Sequence, residues 1–344
     1  MSHVIDLRSD TLSMPTEEML LCIQTAALGD DSRDGDPTVM ELEALSAELM
    51  GKEAGLLTPS GTMSNLVAMR THVEPGATAI VEQSAHLYGA EIGGIASACG
   101  LLVLPVPGRH GAMDLDALRF AARKVGTLFP TTGMLCLENT HNAAGGTVIA
   151  PEHIEESSAI AREHGLRVHL DGARIFNAGV VLGEDVRTIT SHADSVSFCL
   201  SKGLSAPVGS LLTGPKDFID RARMVRRALG GTLRQAGIIA APGLVALRTG
   251  IPRLAEDHAN AKKLALGLAE RFPGSCDPGI VETNLFHINV AALGLSGQQI
   301  ADRLRREGLL VFAGEPRMRL ATHCMITAED IDEALEAFGR LGSE

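Results

Sequence analysis

Short apolar runs alternate with helical patterns between about residue 40 and residue 245 of this 344-residue chain. The runs lack the polar alternation of a half-exposed strand, which is typical of a mostly parallel sheet covered on both faces. The candidate strands are 78–81, 101–106, 134–138, the segments around Val168 and Val196, and 209–213. The candidate helices between them include 41–50 and 151–164. The pattern predicts an α/β fold whose ligands bind beyond the carboxyl ends of the strands.

A break around Gly250 and Pro252 separates this region from the rest of the chain. After it we expect a helix over 254–270, a strand over 283–290, a helix over 296–307, a strand ending at Arg319 and a helix over 328–341. We interpret 1–250 as a large domain and 251–344 as a small α+β domain. The N-terminal segment is expected to pack with the small domain.

Composition excludes several classes of function. The chain has 45% apolar residues, no apolar run of transmembrane length and no signal-peptide layout at its N-terminus. Its six cysteines are scattered without CxxC pairs, so we expect reduced thiols in a cytoplasmic protein and no metal site. A net charge of −12 without a basic run argues against nucleic-acid or anionic-membrane partners.

Asp171 and Lys202 follow two consecutive predicted strands. They are the residue types that a pyridoxal phosphate (PLP) enzyme needs, because a carboxylate can pair with the protonated ring nitrogen and a lysine can hold the aldehyde as a Schiff base. Either residue alone at a strand end is usually a solvated terminus. The hypothesis therefore depends on the residues around them.

Groups suited to a phosphate lie in two segments. Ser60, Gly61 and Thr62 open a helix and could offer N–H groups and hydroxyls at its positive end, although an ordinary helix cap is the alternative. Arg227 and Arg234 flank a glycine-broken turn that could reach the phosphate from the same or a neighbouring subunit.

Further candidates carry ring-binding, proton-transfer and carboxylate-binding chemistry. The imidazole of His86 could stack on a pyridine ring, and His141, in a polar strand end, could move a proton. Arg174 and Arg319 could grip an amino-acid carboxylate from two domains. For each of these four residues a structural hydrogen bond or a surface salt bridge is the alternative. Tyr88 is the single tyrosine, so any role that needs a phenol would fall on it.

Taken together, these segments resemble the low-specificity L-threonine aldolase family of fold-type-I PLP enzymes. The matching motifs, in the family's order, are IDLRSDT at 5–11, DPT at 36–38, TPSGTMSN at 58–65, ENTHN at 138–142, LDGARIFNA at 170–178, SKGLSAPVGS at 201–210 and LATH at 320–323. The resemblance implies a PLP-dependent transferase-like fold with a mostly parallel sheet, helices on both faces and a small C-terminal α+β domain.

The resemblance also implies roles for the candidate residues. Lys202 would be the Schiff-base lysine, Asp171 the ring-nitrogen partner and His86 the stacking residue. Around these, Ser60, Gly61, Thr62 and Arg174 would contact the cofactor, with Arg227 and Arg234 reaching its phosphate across a subunit interface. The substrate carboxylate would be bound by Ser9, Arg174 and Arg319. Tyr88 would also contact the substrate, and His141 would lie near its β-hydroxyl.

One departure from the family pattern is at Arg33. Where the family commonly reads GDDxYGxDPT, this chain reads GDDSRDGDPT at 29–38, so Arg33 replaces a tyrosine that the partner subunit offers at the edge of the active site. Arg33 either pairs with Asp31 or Asp34 at the surface, or binds a substrate with an anionic side chain such as β-hydroxyaspartate.

The activity implied is cleavage of L-threonine, L-allo-threonine or related L-β-hydroxy-α-amino acids to glycine and an aldehyde. The family's usual assembly is a homotetramer, a dimer of dimers with shared active sites. A PLP-dependent lyase or racemase acting at the Cα–H bond remains an alternative, since the same electron sink serves both reactions. A non-catalytic relative is disfavoured because Asp171, His86 and Lys202 are all present. A NAD-dependent dehydrogenase is disfavoured because no GxGxxG follows the early strands.

Overall fold

The computed structural model describes residues 4–123 and 132–342. Its strands are β1 (Ile5–Asp6), β2 (Ala54–Thr58), β3 (Thr78–Glu82), β4 (Leu102–Val106), β5 (Gly108–Arg109), β6 (Ala112–Met113), β7 (Thr132–Glu138), β8 (Arg167–Asp171), β9 (Ser195–Cys199), β10 (Ser210–Gly214), β11 (Leu285–Asn289), β12 (Leu309–Leu310) and β13 (Arg317–Ala321). Its α-helices are α1 (Glu17–Thr25), α2 (Pro37–Met50), α3 (Gly61–His72), α4 (His86–Gly89), α5 (Gly94–Ser97), α6 (Leu115–Ala122), α7 (Pro151–Glu163), α8 (Ile175–Leu182), α9 (Arg187–Thr190), α10 (Lys216–Ala228), α11 (Gly237–Val245), α12 (Leu254–Arg271), α13 (Gly297–Arg306) and α14 (Ala328–Gly339).

A seven-stranded sheet in the order β2-β10-β9-β8-β7-β3-β4 forms the centre of the fold. The strands β9, β8, β7, β3 and β4 pair in parallel, whereas β10 is antiparallel to both of its neighbours. In the register of this sheet Asp171 lies opposite Glu138 on one side and Ser197 on the other. The carboxyl ends of β7 and β8 therefore meet at one edge, and the predicted mostly parallel sheet is confirmed.

Helices cover both faces of the sheet. Successive residues of a strand therefore pack into different apolar cores. Leu57 packs in the core that includes residues of α2 and α7, while its neighbour Leu56 packs with residues of α3 and α10. Every residue of β3, β9 and β10 is buried. A strand enclosed on both faces needs apolar side chains in both directions, which explains the lack of alternation in the sequence.

A separate apolar core lies under the C-terminal elements. It combines side chains of α12, α13 and α14 with those of the antiparallel pair β11–β13, and it also includes Ile5 and Leu7 from the N-terminus. The strand β1 pairs in parallel with β12 at the same place. A domain boundary at residue 250 stays a prediction; the chain passes there through a π-helical turn, Ala246–Gly250, that continues α11.

The expected end of one strand is wrong. Arg319 was expected to end its strand, but it is the middle residue of β13, opposite His287 of β11. The strand continues because Leu320 and Ala321 are fully buried and pair with Phe286 and Leu285.

Among the described residues, no single helix has the length and apolar character needed to cross a membrane. One bent pair, Gly237–Gly250 with Leu254–Arg271, meets those criteria jointly, with an angle of 69° between its halves.

Two leucines of α12 test the contribution of the C-terminal core. Leu264 is fully buried in that core, whereas Leu266, two residues along the helix, is 54% exposed. We expect Leu264→Ala to lower the free energy of unfolding by about 2–5 kcal/mol, because it removes buried methyl groups and leaves a cavity. Urea denaturation followed by circular dichroism measures this, with Leu266→Ala as the matched control. Equal losses in the two variants would contradict the described core.

Candidate active site

Asp171 ends β8 as a buried carboxylate, 3% exposed. Its Oδ1 accepts a hydrogen bond from the backbone N–H of Ala173 at 3.1 Å, and its Oδ2 accepts one from the side-chain amide of Asn65 at 2.9 Å. It forms no ion pair with any side chain in the described part of the chain. Because a buried charge normally requires a partner, this carboxylate is suited to an added cation.

Lys202 lies three residues past the end of β9. Its backbone carbonyl accepts hydrogen bonds from the Ser13 hydroxyl at 3.0 Å and from the N–H of Ser205 at 2.8 Å, so the loop is anchored. Ser205 itself has a left-handed backbone with φ of 64°, which closes this turn. Within residues 4–123 and 132–342 the Lys202 ammonium has no hydrogen-bond or ion-pair partner, so its amine is available to a ligand.

Two carboxylates hold His86 at the start of α4. The backbone N–H of His86 donates to Glu138 Oε2 at 2.6 Å, and its ring Nδ1 lies 3.0 Å from Glu91 Oε1. The hydrogen bond to Glu91 raises the pKa of His86 above its usual value. These two contacts fix the orientation of the imidazole.

The N-terminus of α3 lies at the same edge of the sheet. Ser60 is the N-cap, and its Oγ accepts from the N–H of Met63 at 3.2 Å, while Gly61 and Thr62 begin the helix. Their N–H groups have no partner within the helix, as at any helix start. A Cβ on Gly61 would lie 2.8 Å from the Cys199 sulfur, so glycine permits the close approach of this helix to the end of β9.

A cluster of charged and amide side chains joins distant parts of the chain beside this edge. Arg174 binds Asp10 with two parallel hydrogen bonds, Nε to Oδ2 at 2.6 Å and Nη2 to Oδ1 at 2.7 Å. The Oδ1 of Asn142 accepts from Nη1 of Arg174 at 3.3 Å and from Nη1 of Arg319 at 3.1 Å. The two predicted guanidiniums therefore meet at one point. Ser9, adjacent to Asp10, is buried and accepts hydrogen bonds from Thr11.

The charges of this cluster are strongly coupled. Burial by itself would raise the pKa of Asp10, but the charge and the hydrogen bonds of Arg174 hold that pKa well below its usual range. Burial, together with the nearby charge of Arg174, lowers the pKa of Arg319. A carboxylate ligand placed between the guanidiniums would relieve this excess of positive charge.

His141 is fully buried beneath the edge. Its Nδ1 accepts from the N–H of Ala144 at 3.2 Å, and its Nε2 lies 3.1 Å from Glu82 Oε2 and 3.9 Å from Glu138 Oε2 without an aligned hydrogen bond to either. Burial raises the pKa of Glu138. This conformation gives His141 no exposed ring nitrogen, and its role in proton transfer stays a prediction.

Other candidates lie at the surface, away from these contacts. Arg33 is 79% exposed, and its nearest acidic group is Asp30 at 3.8 Å; the expected pairing with Asp31 or Asp34 is wrong. Asp31 instead pairs with the buried Arg226 at 2.8 Å. Arg234 contacts Asp30 and Ser32, which lie on the loop of Arg33. Arg227 is exposed at the end of α10 without a described partner, and Tyr88 is half-exposed on α4.

Four residues of the site were not assigned roles from the sequence: Asp10, Asn65, Glu91 and Asn142. Asp10, Asn65 and Asn142 lie inside the motifs that carry the resemblance, so their positions were visible but their contacts were not. Glu91 lies outside those motifs. The ligand atoms of Glu91, His86 and Asp171 lie within 4.8 Å of one another, a grouping that could hold a metal ion. Hydrogen bonds already link Glu91 to both other groups, directly to His86 and through Asn65 to Asp171, so the grouping needs no ion to explain it.

The chemistry of these residues fits pyridoxal phosphate. None of the described residues pairs a cation with Asp171, a charge that a protonated ring nitrogen would supply, and none binds the side-chain amine of Lys202, which is left for an aldehyde. Ser60, Gly61 and Thr62 offer a helix N-terminus to a phosphate. The Arg174–Arg319 pair adds a site for a carboxylate at the same edge.

Comparison with known proteins identifies the family of this chain. Residues 6–291 match the beta-eliminating lyase family. The low-specificity L-threonine aldolase 1 of Arabidopsis thaliana is 40% identical over 97% of this chain and 95% of its own. The low specificity L-threonine aldolase of Escherichia coli K12 is 41% identical over 96% of this chain and 97% of its own. A solved Leishmania major threonine aldolase has the same fold, with a TM-score of 0.80 and 19% identity over 98% of this chain and 99% of its own.

The fold is that of the fold-type-I PLP enzymes. This chain belongs to the beta-eliminating lyase family, among its low-specificity L-threonine aldolase relatives.

The buried Arg174–Asp10 pair predicts a defined response to acid. Replacing Asp10 by Asn leaves a buried guanidinium without its counter-charge, so we expect a loss of about 3–5 kcal/mol at neutral pH. A carboxylate with a lowered folded pKa stabilises fully above its unfolded value of about 4 and loses that contribution as the pH falls. The difference in unfolding free energy between wild type and Asp10→Asn should therefore narrow below about pH 4.

Chemical denaturation at pH 7, 5, 4 and 3 measures this difference. The matched control is Asp220→Asn, which breaks only an exposed pair with Lys216 and should change stability little at any of these pH values. A constant difference between wild type and Asp10→Asn across the series would contradict the assignment.

Proposed function

We propose that the protein is a PLP-dependent aldolase. It cleaves the Cα–Cβ bond of L-threonine, L-allo-threonine or related L-β-hydroxy-α-amino acids to glycine and an aldehyde. The observation that carries this proposal lies at one edge of the sheet. Within residues 4–123 and 132–342, neither the buried carboxylate of Asp171 nor the side-chain amine of Lys202 has an ion-pair partner. The identity of about 40% with low-specificity L-threonine aldolases supports the choice of reaction.

When bound, pyridoxal phosphate supplies an electron sink for the pair of electrons released from a bond at the substrate α-carbon. Lys202 would hold its aldehyde and Asp171 the proton of its ring nitrogen, while His86 would stack on the ring. Ser60, Gly61 and Thr62 would bind its phosphate, with Arg227 and Arg234 added from a neighbouring subunit.

The arginine pair orients the substrate. Asp10 binds Nε and Nη2 of Arg174, and Asn142 Oδ1 accepts from Nη1 of both arginines, so the two guanidiniums are held in fixed directions. A carboxylate held between these groups, with Ser9 beside it, would fix the orientation of the bonds at the substrate α-carbon. The β-substituent is held loosely, so several aldehydes are expected as products.

Cleavage requires two proton transfers. Removal of the β-hydroxyl proton turns the β-carbon into an aldehyde as the Cα–Cβ bond breaks, and delivery of a proton to the α-carbon gives glycine. The proposed base is His141 or a water that it orients. Glu82, Glu138 and the turn at 141–144 enclose the ring, so proton transfer through it requires that turn to open.

We further propose a cytoplasmic homotetramer, a dimer of dimers with shared active sites. All six cysteines are free thiols, as suits a reducing compartment. Leu20 and Leu21 of α1 and Ile238 of α11 are exposed apolar side chains, suited to contact with a second copy. The exposed Arg227 would then reach the site of that copy.

Aldehyde release from L-threonine, L-allo-threonine, phenylserine and β-hydroxyaspartate tests the reaction. We expect the PLP-loaded protein to form glycine and an aldehyde in equal amounts, and Lys202→Ala to lose this activity because it lacks the amine. Lys263→Ala, on the surface of α12, is the matched control and should retain activity.

The products also distinguish the alternative. A lyase that breaks the Cα–H bond would form a 2-oxo acid and ammonia from threonine, and a racemase would form the D-isomer. Bound PLP without aldehyde from any of the four substrates would rule out the aldolase.

We also propose that Arg33 of one subunit lies at the edge of the active site of its partner, where it selects substrates with an anionic side chain. We expect Arg33→Tyr to lower the ratio of kcat/KM for β-hydroxyaspartate to kcat/KM for threonine by about tenfold, the effect of one charge-assisted hydrogen bond. Arg33→Lys, which keeps the charge, should change the ratio less. If Arg33→Tyr left this ratio unchanged, Arg33 would have no role in substrate selection.

A further inference from the structure

Asn65 is a buried amide in α3 whose four hydrogen-bonding positions are all occupied. Its Oδ1 accepts from the Ser197 hydroxyl at 2.8 Å and lies 3.1 Å from the His169 Nε2. Its Nδ2 donates to Asp171 Oδ2 at 2.9 Å and to Glu91 Oε1 at 3.0 Å. One side chain therefore links the predicted ring-nitrogen partner to the carboxylate behind the predicted stacking histidine.

The orientation of this amide follows from its surroundings. If Asn65 were flipped, its oxygen would face two carboxylates and would have no donor on that side. With Nδ2 toward the carboxylates, Oδ1 requires a donor from His169, which fixes the proton of that ring on Nε2.

Two more groups extend the chain of hydrogen bonds behind His169. With its proton on Nε2, His169 accepts at Nδ1 from the Ser195 hydroxyl, at 2.8 Å. The Ser195 oxygen then accepts from Nε2 of His72, at 2.7 Å. Every donor in this series points toward Asp171, so the hydrogen bonds polarise one another in the direction of that carboxylate.

The two imidazoles in the series are neutral at physiological pH. Burial lowers the pKa of His169 to about 4 and that of His72 to about 3. His72 also stacks on Phe218 with ring centroids 4.3 Å apart, which fixes its plane. Neutral rings in one tautomer act as fixed dipoles and carry no charge into the core.

We propose that Asn65 and His169 are positioning residues for the cofactor ring, a role that rests on the proposed function. Asn65 holds Asp171 as the ionised acceptor of the ring-nitrogen proton. The same amide orients Glu91, which in turn orients His86 against the ring. His169 holds Asn65 in the one amide orientation that serves both carboxylates.

The test compares three variants of the PLP-loaded protein. His169→Leu removes the donor to Asn65 at similar volume, and His169→Gln retains an N–H at the position of Nε2. Thr190→Val removes a buried hydrogen bond to the Met50 carbonyl, away from the series, and serves as the control for lost stability. For each we measure the dissociation constant of PLP, the visible absorbance band of the bound cofactor, kcat and KM for L-threonine, and thermal stability.

We expect His169→Leu to lower kcat by about 10- to 100-fold, the range for residues that orient a ligand from behind. The dissociation constant of PLP should rise and the absorbance band should shift, while KM changes little, because the substrate carboxylate is bound elsewhere. His169→Gln should restore most of these properties. Thr190→Val should lower stability and leave the cofactor properties unchanged.

The outcomes separate this inference from the proposed function. If wild type binds PLP and cleaves threonine, but His169→Leu differs from it only in stability, as Thr190→Val does, the positioning role is wrong and the aldolase assignment stands. If His169→Gln fails to restore what His169→Leu loses, the role of the donor is likewise contradicted. If wild type neither binds PLP nor releases aldehyde, the proposed function fails first.

Discussion

The buried ion pair between Arg174 and Asp10 joins the three parts of the chain that make the site. Asp10 comes from the N-terminal segment and Arg174 from the loop after β8, and Asn284 donates to the same carboxylate from the C-terminal region at 3.2 Å. Desolvation makes such a pair costly unless every oxygen has a partner, and the bidentate geometry with an added amide meets that condition. Arg319 of β13 is joined to this ion pair through Asn142, because the Oδ1 of Asn142 accepts hydrogen bonds from both Arg319 and Arg174.

The site itself depends on the opposite condition, in which charges are left without partners. No described residue supplies a cation to the buried Asp171 or binds the side-chain amine of Lys202. Hydrogen bonds from residues outside the sheet hold both groups in place. The Ala173 N–H donates to the Asp171 carboxylate, and the Ser13 hydroxyl and the Ser205 N–H donate to the backbone carbonyl of Lys202. Binding energy for a cofactor is therefore built into the fold before the cofactor arrives.

Sequence patterns predicted the parts of this arrangement that depend on local order. Strands enclosed on both faces are visible as apolar runs, and Asp171 and Lys202 stand out because they follow such runs directly. The partner of Arg33 was not predictable, since it depends on how the 29–36 loop folds back on itself. The extent of β13 was misjudged because its last residues are buried by β11, which is distant in sequence.

Residues that act through other residues were the hardest to predict. Asn65 lies inside a matched motif, yet its four side-chain contacts come from β8, β9 and the segment around Glu91, which no spacing rule relates to α3. Glu91 lies outside every motif that carries the resemblance. The burial of His141 likewise depends on Gly111, where a Cβ would lie 2.4 Å from the ring and where the backbone φ of 88° favours glycine.

The antiparallel strand β10 has a consequence for how the two ligands are held. Cys199 and Ser210 pair with each other, so the segment that carries Lys202 is a loop tied at both ends to the middle of the sheet. Arg319, in contrast, belongs to a sheet in the C-terminal region. Under the proposed function, a shift of that region against the central sheet would move Arg319 relative to Arg174 and so change the fit of a substrate carboxylate between them. The loop of Lys202 would feel such a shift through two hydrogen bonds only among those described, from Ser13 of the N-terminal segment to the Lys202 carbonyl and between Ser205 and Cys324.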